Sequence, residues 1–102
     1  MCKVKRVGII EQIRAGELGE EDLLEYITDN DVNVAIAVAE SEMATDSILD
    51  IAAHDRDRSV RLAAVNNPNI AEITLRFLLN DLDEEIVEKA FYYLERYYCE
   101  RK

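Results

Sequence analysis

Tryptophan is absent from this chain, proline and histidine occur once each, cysteine twice and glycine three times. Each scarcity excludes a class of explanation. With so little proline and glycine there is no flexible or stiff linker to divide the chain, so residues 1–102 are expected to form one domain. The two cysteines, Cys2 and Cys99, sit at opposite ends and belong to no CxxC pair. With a single histidine beside them they fall short of the three or four ligands that a zinc or iron–sulfur centre takes, so both read as reduced thiols and no cofactor is expected. The longest apolar run, Val34 to Ala39, is six residues, against the roughly 20 that a membrane helix needs. With no secretory leader visible either, the chain is expected to be soluble and cytoplasmic.

What is present is a repeat. DNDVNV begins at Asp29, DRDRSV at Asp55 and DLDEEI at Asp81, so the motif returns with a strict period of 26. Asp31, Asp57 and Asp83 keep the same phase, and so do Val34, Val60 and Ile86. A second pattern keeps it too: Leu23/Tyr26/Ile27, Leu49/Ala52/Ala53 and Leu75/Leu78/Leu79 are i, i+3, i+4 sets that place three side chains on one helical stripe. Two helical stripes per period predict an all-α solenoid, in which each unit buries its apolar face against its neighbours.

The punctuation fits. Ile9, Ile10 and Ile13 form a first stripe that Gly16 ends, and Glu20, Glu21 and Asp22 open the next helix with negative charge at the positive end of its dipole. Asp29–Asp31 caps a helix running to about Ser41, and Thr45 caps a shorter one, partly 3₁₀ in character, that His54 closes. Asp57 caps the helix of the central unit, Asn67-Pro68-Asn69 stops it, and Asn69 with Glu72 three residues on reads as a capping box. From Asp83 onward no breaker intervenes, so one long amphipathic helix caps the C-terminal end, with Phe91, Leu94 and Tyr98 on its inner stripe. The expected core joins Leu49, Val60, Ala64, Leu75, Leu78, Ile86 and Phe91.

The central unit, Asp55-x-Asp57-x-x-Val60-Arg61-x-Ala63-Ala64-Val65-x-Asn67-Pro68 followed by Leu75-x-x-Leu78, resembles the leucine-rich repeat variant, a short relative in style of HEAT-like repeats. The preceding unit keeps Asp29, Asp31, Val34, Ala37, Val38 and Leu49 but has Ala35 for the arginine and Ser41-Glu42 for Asn-Pro. The last unit keeps Asp81, Asp83 and Ile86, and Ala71 stands where a second proline is common in the family. The resemblance implies a right-handed stack of paired helices used mostly as a scaffold or binding surface. It carries no activity over, and the cysteine cluster that holds an iron–sulfur module in some relatives is missing here.

Four features invite a functional reading. The D-x-D turns bring carboxylates together as a divalent cation would require, yet the turn glycine of a calcium loop does not follow, so capping is the expectation. His54-Asp55 is an imidazole beside a carboxylate, but no motif places a nucleophile near it. Arg56, Arg58, Arg61 and Arg76 form a relative basic island: between Ile51 and Leu79 they face only Asp55, Asp57 and Glu72, whereas Ile9 to Asp50 holds twelve acids and one cation, Arg14. The island either clamps an anion, since guanidinium forks hold carboxylate and phosphate bidentately, or pairs with the turn acids of neighbouring units. Finally, Tyr92, Tyr93, Tyr97 and Tyr98 crowd the last helix with Phe91, as an end cap or as a partner surface.

The composition and the repeat point to a non-catalytic protein–protein interaction scaffold, with Arg56, Arg58, Arg61, Arg76, Tyr92, Tyr93 and Tyr97 as candidate partner-binding residues. The alternatives are anion or nucleic-acid binding through the arginine island, or an accessory subunit of an enzyme. A net charge of −10 repels polyanions, so a protein is the expected partner, with a homodimer through the C-terminal helix as a further expectation.

Overall fold

In the computed structural model, which describes residues 6–100 (side chains 8–99), three aspartate pairs repeat one piece of local chemistry. The first Asp of each pair accepts the backbone N–H of the second: Asp31 to Asp29, Asp57 to Asp55 and Asp83 to Asp81, each 2.8 Å. The second Asp then caps a helix, accepting the N–H of Asn33 at 2.9 Å, Ser59 at 2.8 Å and Glu85 at 3.0 Å. A cap of this kind contributes about 1 kcal/mol by satisfying a backbone donor that the helix leaves open. The turn carboxylates therefore act on the backbone.

The described residues form seven α-helices: α1 (Arg6–Arg14), α2 (Glu20–Ile27), α3 (Val32–Glu40), α4 (Asp46–Ala53), α5 (Arg58–Asn66), α6 (Glu72–Leu78) and α7 (Glu84–Glu100). Val32, Arg58 and Glu84, which open α3, α5 and α7, are evenly spaced, and Glu20, Asp46 and Glu72, which open α2, α4 and α6, are separated by the same step. Helix α1 ends on Gly16, whose φ of +72° suits glycine, and Glu17 N–H reaches back to Gln12 O at 3.1 Å as in a Schellman ending. Helix α5 stops before Pro68, with Asn67 extended at φ −82° and ψ 125°.

Two layers result. Helices α1, α3, α5 and α7 pack in sequence in one, α2, α4 and α6 in the other, and α2–α3, α4–α5 and α6–α7 join them. Between the layers lies one core that includes Leu23, Ile27, Val34, Val38, Ile48, Leu49, Val60, Leu75, Leu78 and Ile86. Ala35, Ala37, Ala39, Ala52, Ala53 and Ala63 are buried with them and allow close helix approach. No helix among the described residues is long and apolar enough to cross a membrane.

Three expectations are corrected here. Asn69 and Glu72 form no capping box: the residue before α6 is Ala71, with no side-chain cap, because the Asn69 amide points to the preceding turn and donates to Glu42 O and Ala44 O at 2.9 and 3.0 Å. Helix α4 is α throughout rather than partly 3₁₀. Phe91 is 57% exposed and Tyr98 is exposed as well, so the inner stripe of α7 is Ile86, Ala90 and Leu94, with Tyr93 packed against it. Cys2, Lys3 and Lys5 lie outside the described residues.

Candidate functional site

Three of the four island arginines are spent on ion pairs. Arg61 donates from Nε to Asp81 Oδ2 at 2.8 Å and from one terminal nitrogen to the Asp55 and Arg56 carbonyls at 3.0 Å, tying one aspartate turn to the next. Arg58 bridges Asp83 and Glu85, with 2.8 Å to Glu85 Oε1. The hydrogen bond to Asp83 and then that to Glu85 raise the Arg58 guanidinium above its ordinary value, and the same contact lowers the Asp83 carboxyl, helped by the N–H groups of Ile86 and Glu85. Arg76 donates to Glu72 at 3.0 Å and to the Tyr98 hydroxyl. Tyr98 in turn donates to Glu72, a bond to a carboxylate that favours the neutral phenol and raises its pKa. Arg56 is exposed and makes no ion pair among the described residues. It lines a groove of about 390 Å³ with His54, Arg61, Phe77 and Leu82. Arg58, Arg61 and Arg76 thus serve separate acids, and Arg56 shares only a groove with Arg61.

The tyrosines also divide. Tyr93 is half-buried and donates its hydroxyl to Asn66 Oδ1 at 3.1 Å. Tyr97 is half-buried beside the turn after α5, in a groove it shares with Tyr93 and Arg96. Tyr92 is exposed under the Arg96 guanidinium, which lies 5.8 Å from its ring centroid. It sits on an outward row of α7 with Glu88, Glu95 and Cys99, all exposed.

The surface that the residue-by-residue reading missed is the outward row of the second layer. At positions 26 residues apart, α2 with its C-terminal turn presents Glu21, Leu24, Glu25 and Thr28, α4 with its C-terminal turn presents Ser47, Asp50, Ile51 and His54, and α6 with its C-terminal turn presents Ile73, Arg76, Phe77 and Asn80. All twelve are exposed. While the inner stripes stay apolar, this row changes from acidic at α2 to apolar and cationic at α6. Ile73 is 75% exposed, and Phe77 is covered only in part by His54, whose ring stacks on it at 4.0 Å between centroids. His54 Nδ1 donates to Asp50 O at 2.8 Å, which holds the imidazole in this stacked position. Beside the row, Leu82 occupies the centre of the last aspartate turn and is 99% exposed, where the two earlier turns carry Asn30 and Arg56. A leucine with no core neighbour at such a position has no packing role. Comparing outward positions at the 26-residue spacing of the aspartate motifs was the signal that could have found this surface in the sequence.

Neither a protein-family model nor a curated protein nor a solved structure matches the chain.

Proposed function

We propose that this chain is a non-catalytic protein–protein interaction scaffold: a right-handed α-solenoid of two-helix units of period 26 in the style of leucine-rich repeat variants, with α7 as its end cap. The observation that carries the reading is the row on α2, α4 and α6. Core positions hold one chemistry throughout, while the exposed positions one period apart do not, so the scaffold offers a graded surface that no stability requirement explains. Ile73, Phe77 and Leu82 supply apolar contact at one end, with Arg56 and Arg76 beside them, and Glu21 and Glu25 supply negative charge at the other. Exposed apolar groups rimmed by charge are the composition of a docking surface.

The test is affinity capture from the native extract at moderate salt, comparing the wild type with Ile73→Ser/Phe77→Ser/Leu82→Ser. All three residues are exposed, so the variant keeps its core. Loss of the retained protein in the variant supports the reading; a partner retained equally by both excludes this face, and an extract that yields no partner at all removes the scaffold function.

A second reading rests on Phe91, Tyr92 and Tyr98, which are exposed on α7: two copies meet through that helix. Sedimentation at tens of micromolar decides it, with dimerisation abolished by Tyr92→Ser as the supporting result and a monomer as the opposing one.

A further inference from the structure

Two asparagines fill the gap between the C-terminal ends of α3 and α5. Asn67 Nδ2 donates to Ala39 O at 2.9 Å and Ser41 O at 2.8 Å, and Asn69 Nδ2 donates to Glu42 O at 2.9 Å and Ala44 O at 3.0 Å. Two carboxamides thus serve four carbonyls of the preceding turn. Advancing the four acceptors by one period gives Val65, Asn67, Pro68 and Ile70. All four line an open groove of about 290 Å³ between the turn after α5 and helix α7.

Asn66 and Asn67 line the groove themselves, with Asn66 Oδ1 accepting from Tyr93 and the Asn67 amide engaged on the preceding turn, but among the described residues no carboxamide stands one period on to serve these acceptors. The positions one period after Asn67 and Asn69 are Tyr93 and Glu95, because α7 runs on where the earlier units turn. The one donor of Tyr93 is used on Asn66 Oδ1, and Glu95 when ionised donates nothing. The gap between α1 and α3 lacks the asparagines as well, having Ser41 and Met43 at these positions, but Met43 and the charged Arg14, Glu40 and Glu42 line it. Of these two gaps, the groove beside α7 combines the four acceptor positions with flat aromatic walls, those of Tyr93 and Tyr97.

From this geometry we infer that the groove binds an asparagine-bearing turn of a partner protein, whose side-chain carboxamides donate to this turn as Asn67 and Asn69 donate to the one before. The aromatic walls accept the planar amide. A second folded copy does not supply the turn, since its own Asn67 is 5% exposed and engaged within the chain. The site is separate from the α2–α4–α6 row and stands whether or not that row binds a partner.

The probe is a synthetic peptide with the sequence of residues 65–71, titrated into the full isotope-labelled chain while amide shifts are followed. Saturable shifts confined to Val65–Leu75 and Tyr93–Tyr97 are expected. A peptide carrying Asn67→Asp and Asn69→Asp should bind at least about ten-fold more weakly, since carboxylates facing carbonyl oxygens lose the donors. Tyr97→Ala in the protein, checked for an unchanged helical spectrum, should weaken the parent peptide. Absence of saturable shifts at millimolar peptide, shifts centred elsewhere, or equal affinity for the two peptides each overturns the inference.

Discussion

Arg61 and Asp81 pair at 2.8 Å with the Asp81 side chain only 6% exposed, so the guanidinium that belongs to one aspartate turn neutralises the first acid of the next. Asp81 also accepts the Asp83 N–H at 2.8 Å, and Arg61 also holds two carbonyls of its own turn. The pair is a joint between consecutive turns. Arg61→Ala leaves a largely buried carboxylate without its cation and should cost roughly 3 kcal/mol in a denaturant melt. Arg58, half exposed and paired with acids in contact with water, should show a much smaller change on the same substitution.

Leu78 and Phe91 should behave oppositely on truncation. Leu78 is fully buried, and Leu78→Ala should cost roughly 2–5 kcal/mol through lost transfer energy and the cavity left behind. Phe91 projects from the flank of α7, so Phe91→Ala should be nearly neutral in the same melt. A large loss at Phe91 would mean that α7 is rotated from the orientation described.

Asn67 is a buried donor to two carbonyls, and Asn67→Ala should destabilise the chain by about 2 kcal/mol because both acceptors lose a partner away from water. The loss should exceed that of Asn69→Ala, since Asn69 is exposed and water can replace its side chain. Thermal melts of the two variants, recorded side by side, provide the comparison.

The Asp83 carboxyl is lowered by its hydrogen bond from Arg58, so it ionises more readily in the folded chain than in the unfolded one. Its stabilising contribution is therefore fully present above the ordinary aspartate value of about 3.9 and is lost as the pH falls through its lower folded value. In Arg58→Gln the Asp83 titration followed by carboxyl NMR should move upward toward the ordinary value. An unchanged titration would show that Arg58 does not hold the carboxylate in solution.

The acidic end of the outward row should prefer a basic partner. Glu21, Asp22 and Glu25 are exposed on α2, and Glu20 lies beside them with its carboxylate accepting from the Thr45 hydroxyl at 3.1 Å. Capture through this end should weaken as salt shortens the screening length from about 8 Å at physiological strength to about 3 Å at 1 M. Glu21→Gln/Glu25→Gln should produce a similar loss at low salt. Affinity that ignores both changes would assign the acids to solubility.

Much of the fold was legible in the sequence because the partners involved are close along the chain. Asp31 and Asp57 cap by bonding N–H groups two residues on, Gly16 ends α1 through its own φ, and Pro68 limits the residue before it. Of the stripes Leu23/Tyr26/Ile27, Leu49/Ala52/Ala53 and Leu75/Leu78/Leu79, all are buried but Tyr26 and Leu79, which pack half-buried against the core, since a helix places i, i+3 and i+4 on one side wherever it packs. Tertiary structure alone decided the rest. The aromatic run on α7 fits more than one helical phase, and only packing against α5 and α6 turned Ile86, Ala90 and Leu94 inward while leaving Phe91 and Tyr98 exposed. Asn69 had a plausible local partner in Glu72, yet its amide found carbonyls 25 and 27 residues away, because the stacked turns bring those acceptors within 3.0 Å. A polar side chain with a local and a distant option takes whichever the packed backbone presents, and that choice is made by the fold rather than by sequence neighbours.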